Sequence, residues 1–171
     1  ENPSNMFVVE YASRPDLAKI FYEDVLMAAF FYGYPLLVEN NKYGIVRYFE
    51  SRGYDGYLMD RPDHLKAANS KMNVKTKGIP SNSQDVIQAH AHAIEQYVYD
   101  HVGINYDTGN VGNMYLNRTL EDWIGFKIND RTRFDLTISS GLALLAAQKS
   151  KPKEKSDFTE RKFFRRYKPI G

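Results

Sequence analysis

The chain contains no cysteine, which excludes disulfides, thiolate nucleophiles and cysteine zinc sites and suits a reducing interior. No apolar stretch approaches the roughly 20 residues of a membrane helix; the longest run, Met27-Ala28-Ala29-Phe30-Phe31-Tyr32, stops at Gly33. No membrane association is expected. Phosphate loops (G-x-x-x-x-G-K), dinucleotide fingerprints (G-x-G-x-x-G) and the G-x-S-x-G nucleophile elbow are all missing, so ATP, dinucleotide and serine-hydrolase chemistry have no support in these residues. A strong charge of either sign is also lacking. The 23 Lys and Arg nearly balance the 21 Asp and Glu, so bulk charge does not announce nucleic acid or a membrane surface. Residue 1 is Glu with no signal-peptide pattern after it, as in a mature or subcloned segment.

What is present is enough apolar material for a core: 43% of 171 residues, which excludes general disorder and allows one or two small domains. Charge is unevenly distributed. Residues 149–171 hold nine bases and three acids, net +6, leaving residues 1–148 at net −4.

Residues 6–11 (Met-Phe-Val-Val-Glu-Tyr) form a short apolar, β-branched run that reads as a buried strand. Ser13-Arg14-Pro15-Asp16 has the form of a helix start, with Ser13 as cap, and Leu17, Phe21, Val25, Ala28 and Tyr32 follow at helical spacing up to Gly33. Pro35-Leu36-Leu37-Val38 reads as a second strand, paired in parallel with 6–11 in βαβ fashion. Helices are expected over 42–52, 84–101 (stripe Ile87, Ala91, Ile94, Val98, His101), 119–127 and 133–148, with strands at 57–60 and within 104–118. Residues 63–82, with Lys66, Lys71, Lys75 and Lys77 among Gly, Pro and Ser, read as an exposed loop or hairpin. The expected architecture is one α/β domain over 1–148 and a basic-aromatic tail over 149–171 without a core of its own.

Two acids stand out. Glu39 closes the apolar run 36–38, and in open α/β sheets functional groups lie just beyond the carboxyl ends of strands; alternatively it serves the dipole of the next helix. Asp135 opens a helix rich in small residues (Thr137, Ser139, Ser140, Gly141, Ala143) that could lie close on a sheet, or it completes a capping box begun by Thr132. Asp130 is a reserve acid in a loop. Two distant acids of this kind suit two-metal phosphodiester chemistry with Mg²⁺ or Mn²⁺, which usually wants a third carboxylate. His90 and His92, two apart on a helix, point to different faces and share no metal. Lys71, Lys75 and Lys77 could contact phosphates or simply be solvated. Phe163, Phe164, Arg165, Arg166 and Tyr167 read as a partner-binding segment.

Val9-Glu10-Tyr11-x-x-Arg14-Pro15, Phe21-Tyr22-Glu23, Val38-Glu39-Asn40-Asn41-Lys42-x-Gly44, Tyr48-Phe49, Tyr57-Leu58 and Arg133-Phe134-Asp135, taken in order over 6–148, resemble the C-terminal nuclease domain of large terminase subunits of tailed bacteriophages, in the form found in crAss-like phages. The resemblance implies a ribonuclease H-like fold, a mixed sheet flanked by helices. It implies a hydrolase acting in the host cytoplasm, which cuts concatemeric double-stranded DNA with two Mg²⁺ or Mn²⁺ ions during genome packaging. Glu39 matches the second acidic motif and Asp135 the third. The first motif, an Asp on the opening strand, has no counterpart here and is expected upstream of Glu1, so the first strand is expected to be missing, and with it one metal ligand that activity of this segment alone would need. An ATPase domain is expected upstream; Lys71, Lys75 and Lys77 would approach DNA, and the tail would engage the portal or procapsid. A non-catalytic DNA- or capsid-binding module and a Holliday-junction-type resolvase on the same scaffold are the alternatives.

Overall fold

The structure, a computed structural model, describes residues 5–40, 43–62, 76–80, 84–102, 114–127 and 133–149. These contain helices α1 (Ala18–Tyr32), α2 (Gly44–Ser51), α3 (Gln84–His101), α4 (Asn117–Gly125) and α5 (Asp135–Lys149), with a 3-10 turn at Asp55–Tyr57. None of them is long and apolar enough to cross a membrane. All five helices expected from periodicity form, with ends shifted by a few residues. Gly33 terminates α1 in the left-handed region (φ 69°), its N–H bonding the Ala29 carbonyl at 2.9 Å.

Three corrections concern helix details. Ser13 does not cap α1, which begins at Ala18 after an extended Leu17. Instead the chain at 11–16 lies back along the helix: Tyr11 stacks on Phe21 (5.5 Å, 21°) and donates its hydroxyl hydrogen bond to Asp24. On α3 the buried stripe is Val86, Ile87, His90, Ala93, Ile94 and Tyr97, and Val98 is exposed, because α3 packs on α5 and also meets the rings of Phe7 and Trp123. Of the small residues of α5, Thr137, Ser140 and Gly141 meet other helices, whereas Ser139 and Ala143 are exposed and line a groove. A Cβ at Gly141 would press on His90 of α3, so glycine there sets the close α3–α5 approach.

The expected ribonuclease H-like mixed sheet is overturned. The described residues are mostly helical and hold no β-strand, only extended segments touching through isolated bridges: Leu36 with Leu58 and Glu39 with Ile79, both parallel, and Asp60 with Lys77, antiparallel. The register explains why no ladder grows. Leu36 bonds Tyr57 and Met59, and two residues later Val38 and Asn40 bond Ile79. One edge is thus shared by two successive partners, and neither pairing extends beyond a single bridge. The expected strand at 6–11 is likewise absent, and no bridge among the described residues joins it to 35–39. Val8 and Val9 are exposed; Phe7 enters a ring cluster with Tyr97 (5.2 Å) and Trp123 (6.0 Å) and Glu10 caps α4, so the segment lies against helices. The expected strand within 104–118 falls partly outside the described residues, and 117–118 belong to α4.

The extended layer nevertheless organises the molecule. Leu37 and Ile79 join Val86, Ala93, Leu142 and Leu145 in one core cluster, between the layer and α3 with α5. Leu36 and Val38 pack on a second cluster of Leu26, Val46, Phe49 and Leu58, between the layer and α1 with α2. Alternate side chains of an extended chain point to opposite faces, so 36–38 serves both cores at once. Gly78 makes the layer possible: its φ is +74°, and a Cβ there would collide with the Val38 carbonyl oxygen.

Candidate functional site: an acid-rimmed groove

A groove of about 1270 Å³ opens between α1 and α5, floored by Leu36, Leu37, Val38 and Met59 and walled by Phe21, Val25, Ile138 and Leu142. Its charged lining comes from four side chains, Arg14, Glu39, Arg118 and Asp135. The two acids singled out from sequence therefore line one groove, although they lie on elements far apart in the chain.

Each is placed by local structure. Glu39 is exposed at the end of the apolar run, and the next residue anchors it: Asn40 is buried, donates its side-chain amide to the Lys77 carbonyl (2.9 Å) and gives its N–H to Ile79 (3.0 Å). Asp135 is the first residue of α5, where the helix dipole favours a carboxylate. It does not hold the third position that a capping box begun at Thr132 would give it; Thr132 itself lies outside the described residues. The Thr137 N–H, in the first turn, is taken by Asp122 (2.6 Å). Arg14 reaches Asp135 at 3.3 Å, with side chains 91% and 78% exposed. So open an ion pair contributes little stability and is readily exchanged.

Beside the mouth, Tyr11 keeps its proton well into the alkaline range, because its hydrogen bond to the Asp24 carboxylate raises its pKa, against a smaller lowering by Ser13. Tyr48 is raised in the same way by Glu23, which also receives Arg52 at 3.1 Å. Both phenols act as donors that hold α1 and its neighbouring segments in place.

Among the other sequence candidates, Lys77 is partly buried, donating to the Leu58 carbonyl (2.8 Å) and pairing with Asp60 (3.0 Å). Its ammonium thus fastens the extended layer. Lys66, Lys71, Lys75, Asp130 and the tail residues Phe163, Phe164, Arg165, Arg166 and Tyr167 lie outside the described residues. His90 is buried in the α3–α5 interface and His92 is exposed, on different faces as expected. Sequence reading passed over four charged residues. Arg14 pairs with Asp135 and Arg118 lines the same groove, and Arg14 stands in the quoted Glu-Tyr-x-x-Arg-Pro motif. Glu10 accepts hydrogen bonds from both the N–H (3.0 Å) and the hydroxyl (2.8 Å) of Thr119 at the start of α4, and Asp122 does the same for Thr137 (2.6 and 2.7 Å) at the start of α5. No sequence signal marks a cap contributed from another element.

Mg²⁺ is commonly held by one or two carboxylates, with water and substrate phosphate completing its shell, and Glu39 and Asp135 are the two carboxylates in this groove's lining that such a cation would use. Among the described residues no group of three His, Asp or Glu side chains is placed to hold a metal. Comparison with protein families, with curated proteins and with solved structures finds no match.

Proposed function

We propose that the groove is the working site of a divalent-metal-dependent DNA endonuclease of the terminase type, cutting double-stranded DNA during viral genome packaging in the host cytoplasm. One observation carries the reading: Glu39 and Asp135, chosen from sequence as metal ligands, line the same groove. The resemblance in the order of the motifs supplies the substrate class and the partners, an upstream ATPase domain and a portal or procapsid met by the tail. The proposal does not rest on a sheet.

Glu39 and Asp135 would hold Mg²⁺ or Mn²⁺, which when bound activates water and stabilises the departing oxygen. Asp135 becomes available when Arg14 leaves it, and Arg14, already exposed, then turns to a backbone phosphate. Arg118 stands 3.8 Å from Glu10 and is two-thirds exposed, so it offers a second cation to the strand. The floor of the groove is apolar, and both acids are exposed.

The test uses the natural polypeptide containing this chain, supercoiled plasmid and Mn²⁺. Glu39→Ala or Asp135→Ala should lower nicking about a hundredfold or more, a loss of nearly 3 kcal/mol of transition-state stabilisation. Full activity in Glu39→Ala overturns the assignment. The Arg14–Asp135 contact favours a second reading, a non-catalytic DNA- or capsid-binding module, since it already occupies one carboxylate. In that case binding in a gel shift survives loss of both acids, fails without 151–171, and weakens steeply with salt.

A further inference from the structure

α1 is apolar on its outer side as well as on the side that packs. Leu26 and Ala29 are buried, and opposite them Ile20, Asp24, Met27 and Phe31 follow at steps of four, three and four, the spacing of one helical stripe. Ile20, Met27 and Phe31 are 48%, 59% and 80% exposed, and Leu17, Phe30 and Tyr32 extend the exposed patch around them. At about 200 Å² per side chain, the open parts of these six apolar residues come to roughly 700 Å². A monomer ordinarily leaves a largest patch of only about 300–600 Å², whereas each partner in a stable complex gives up about 800 Å².

The patch holds both a projecting ring and a place for one. Phe31 projects near the C-terminal end of α1. About 17 Å back along the helix, at 1.5 Å per residue, a hollow of about 290 Å³ is lined by Lys19, Ile20, Glu23 and Asp24 of α1 and by Tyr48 and Arg52 of α2. Its walls are tied together, since Tyr48 donates to Glu23 and Arg52 pairs with the same carboxylate at 3.1 Å. A ring and a hollow on one stripe are self-complementary. A two-fold axis crossing the stripe between Asp24 and Met27 sets the helices antiparallel and brings Phe31 of each copy to Ile20 of the other. The same axis sets Asp24 against Met27. A parallel pairing would instead put Phe31 on Phe31 and Asp24 on Asp24, and would leave both hollows empty.

We propose that a second copy of this chain docks on the outer face of α1, antiparallel, with each Phe31 ring in the hollow beside Ile20 of the other copy. The pairing does not rest on the proposed function. The acid-rimmed groove takes Phe21, Tyr22 and Val25 from α1, none of them in the stripe, so groove and pairing use different residues of the helix.

Sedimentation of the full chain tests the pairing. The parent should be dimeric at about 100 μM, and Phe31→Asp should raise the dissociation constant about a hundredfold or more with its far-ultraviolet circular dichroism unchanged. Cross-linking reads the register independently, because the chain has no cysteine of its own. With a short bismaleimide, Ile20→Cys mixed with Phe31→Cys should join two copies, and each variant alone should join them at least about tenfold less, since its two thiols would lie about 17 Å apart. A parent that stays monomeric overturns the proposal and leaves the face to a different protein. Dimerisation of Phe31→Asp equal to the parent's, or cross-linking of either variant alone as fast as the mixture, overturns it as well.

Discussion

Tyr97 shows how one residue reports its surroundings. Its ring meets Phe7, Trp123 and His101 at 5.2, 6.2 and 5.3 Å, and the residue is 6% exposed. Burial raises its pKa above the ordinary 10.0, the backbone of Phe7 lowers it in part, and Tyr115 adds a rise. The folded state therefore holds the phenolic proton more tightly than the unfolded chain does. Stability from this proton is complete below pH 10 and is lost as pH rises through the folded-state value. Urea midpoints at pH 8 and pH 10.5 should lie closer together in Tyr97→Phe than in the parent; an equal gap would show that this phenol is not responsible. Such a residue was only half legible in the sequence. The period of α3 placed a buried stripe, but Phe7 and Trp123 widen the contact and bury Tyr97 rather than its neighbour Val98.

At the scale of elements, two carboxylate contacts tie the starts of α4 and α5 to other parts of the chain. α4 begins without a side-chain cap of its own, and both α4 and α5 receive a carboxylate from elsewhere, from Glu10 and Asp122. A carboxylate meeting the N–H and hydroxyl of a threonine in the first turn satisfies a donor that the helix leaves open and favours its dipole. Glu10→Ala and Asp122→Ala should each cost about 1–2 kcal/mol in chemical denaturation. A double-mutant cycle of Asp122→Ala with Thr137→Val should show a coupling of at least about 0.5 kcal/mol, and Glu10→Ala with Thr137→Val near zero. Additivity in the first pair would contradict the capping role. The helices were legible because periodicity is local. The caps were not, since Glu10 and Thr119 lie 109 residues apart and meet where Phe7 packs against α3 and α4. The sheet failed for a related reason: apolar runs at 36–38 and 57–59 mark extended, buried chain, but strand length depends on register, and here one edge changes partner after two residues.

For the whole molecule, the decisive feature is that 36–38 belongs to both core clusters. Leu37 is buried with Ile79, Val86 and Leu142, whereas Leu36 and Val38 lie against Leu58 and Phe49. Both cores pack on the chain that floors the groove and carries Glu39 at its end. Placement of the acid pair is thus tied to global stability, although each acid is itself exposed. Phe49 is 0% exposed in the second cluster, and Phe49→Ala should cost about 3–5 kcal/mol. The only tryptophan, Trp123, lies on the other side of the layer, where its indole N–H donates to Ser140 at 2.8 Å on α5. If the layer couples the cores, unfolding of Phe49→Ala followed by Trp123 fluorescence and by far-ultraviolet circular dichroism will give coincident transitions, both shifted to lower urea. A fluorescence midpoint left at its parental value, with circular dichroism alone shifted, would show that the cores unfold separately, and the groove between α1 and α5 would then be a contact between independent units.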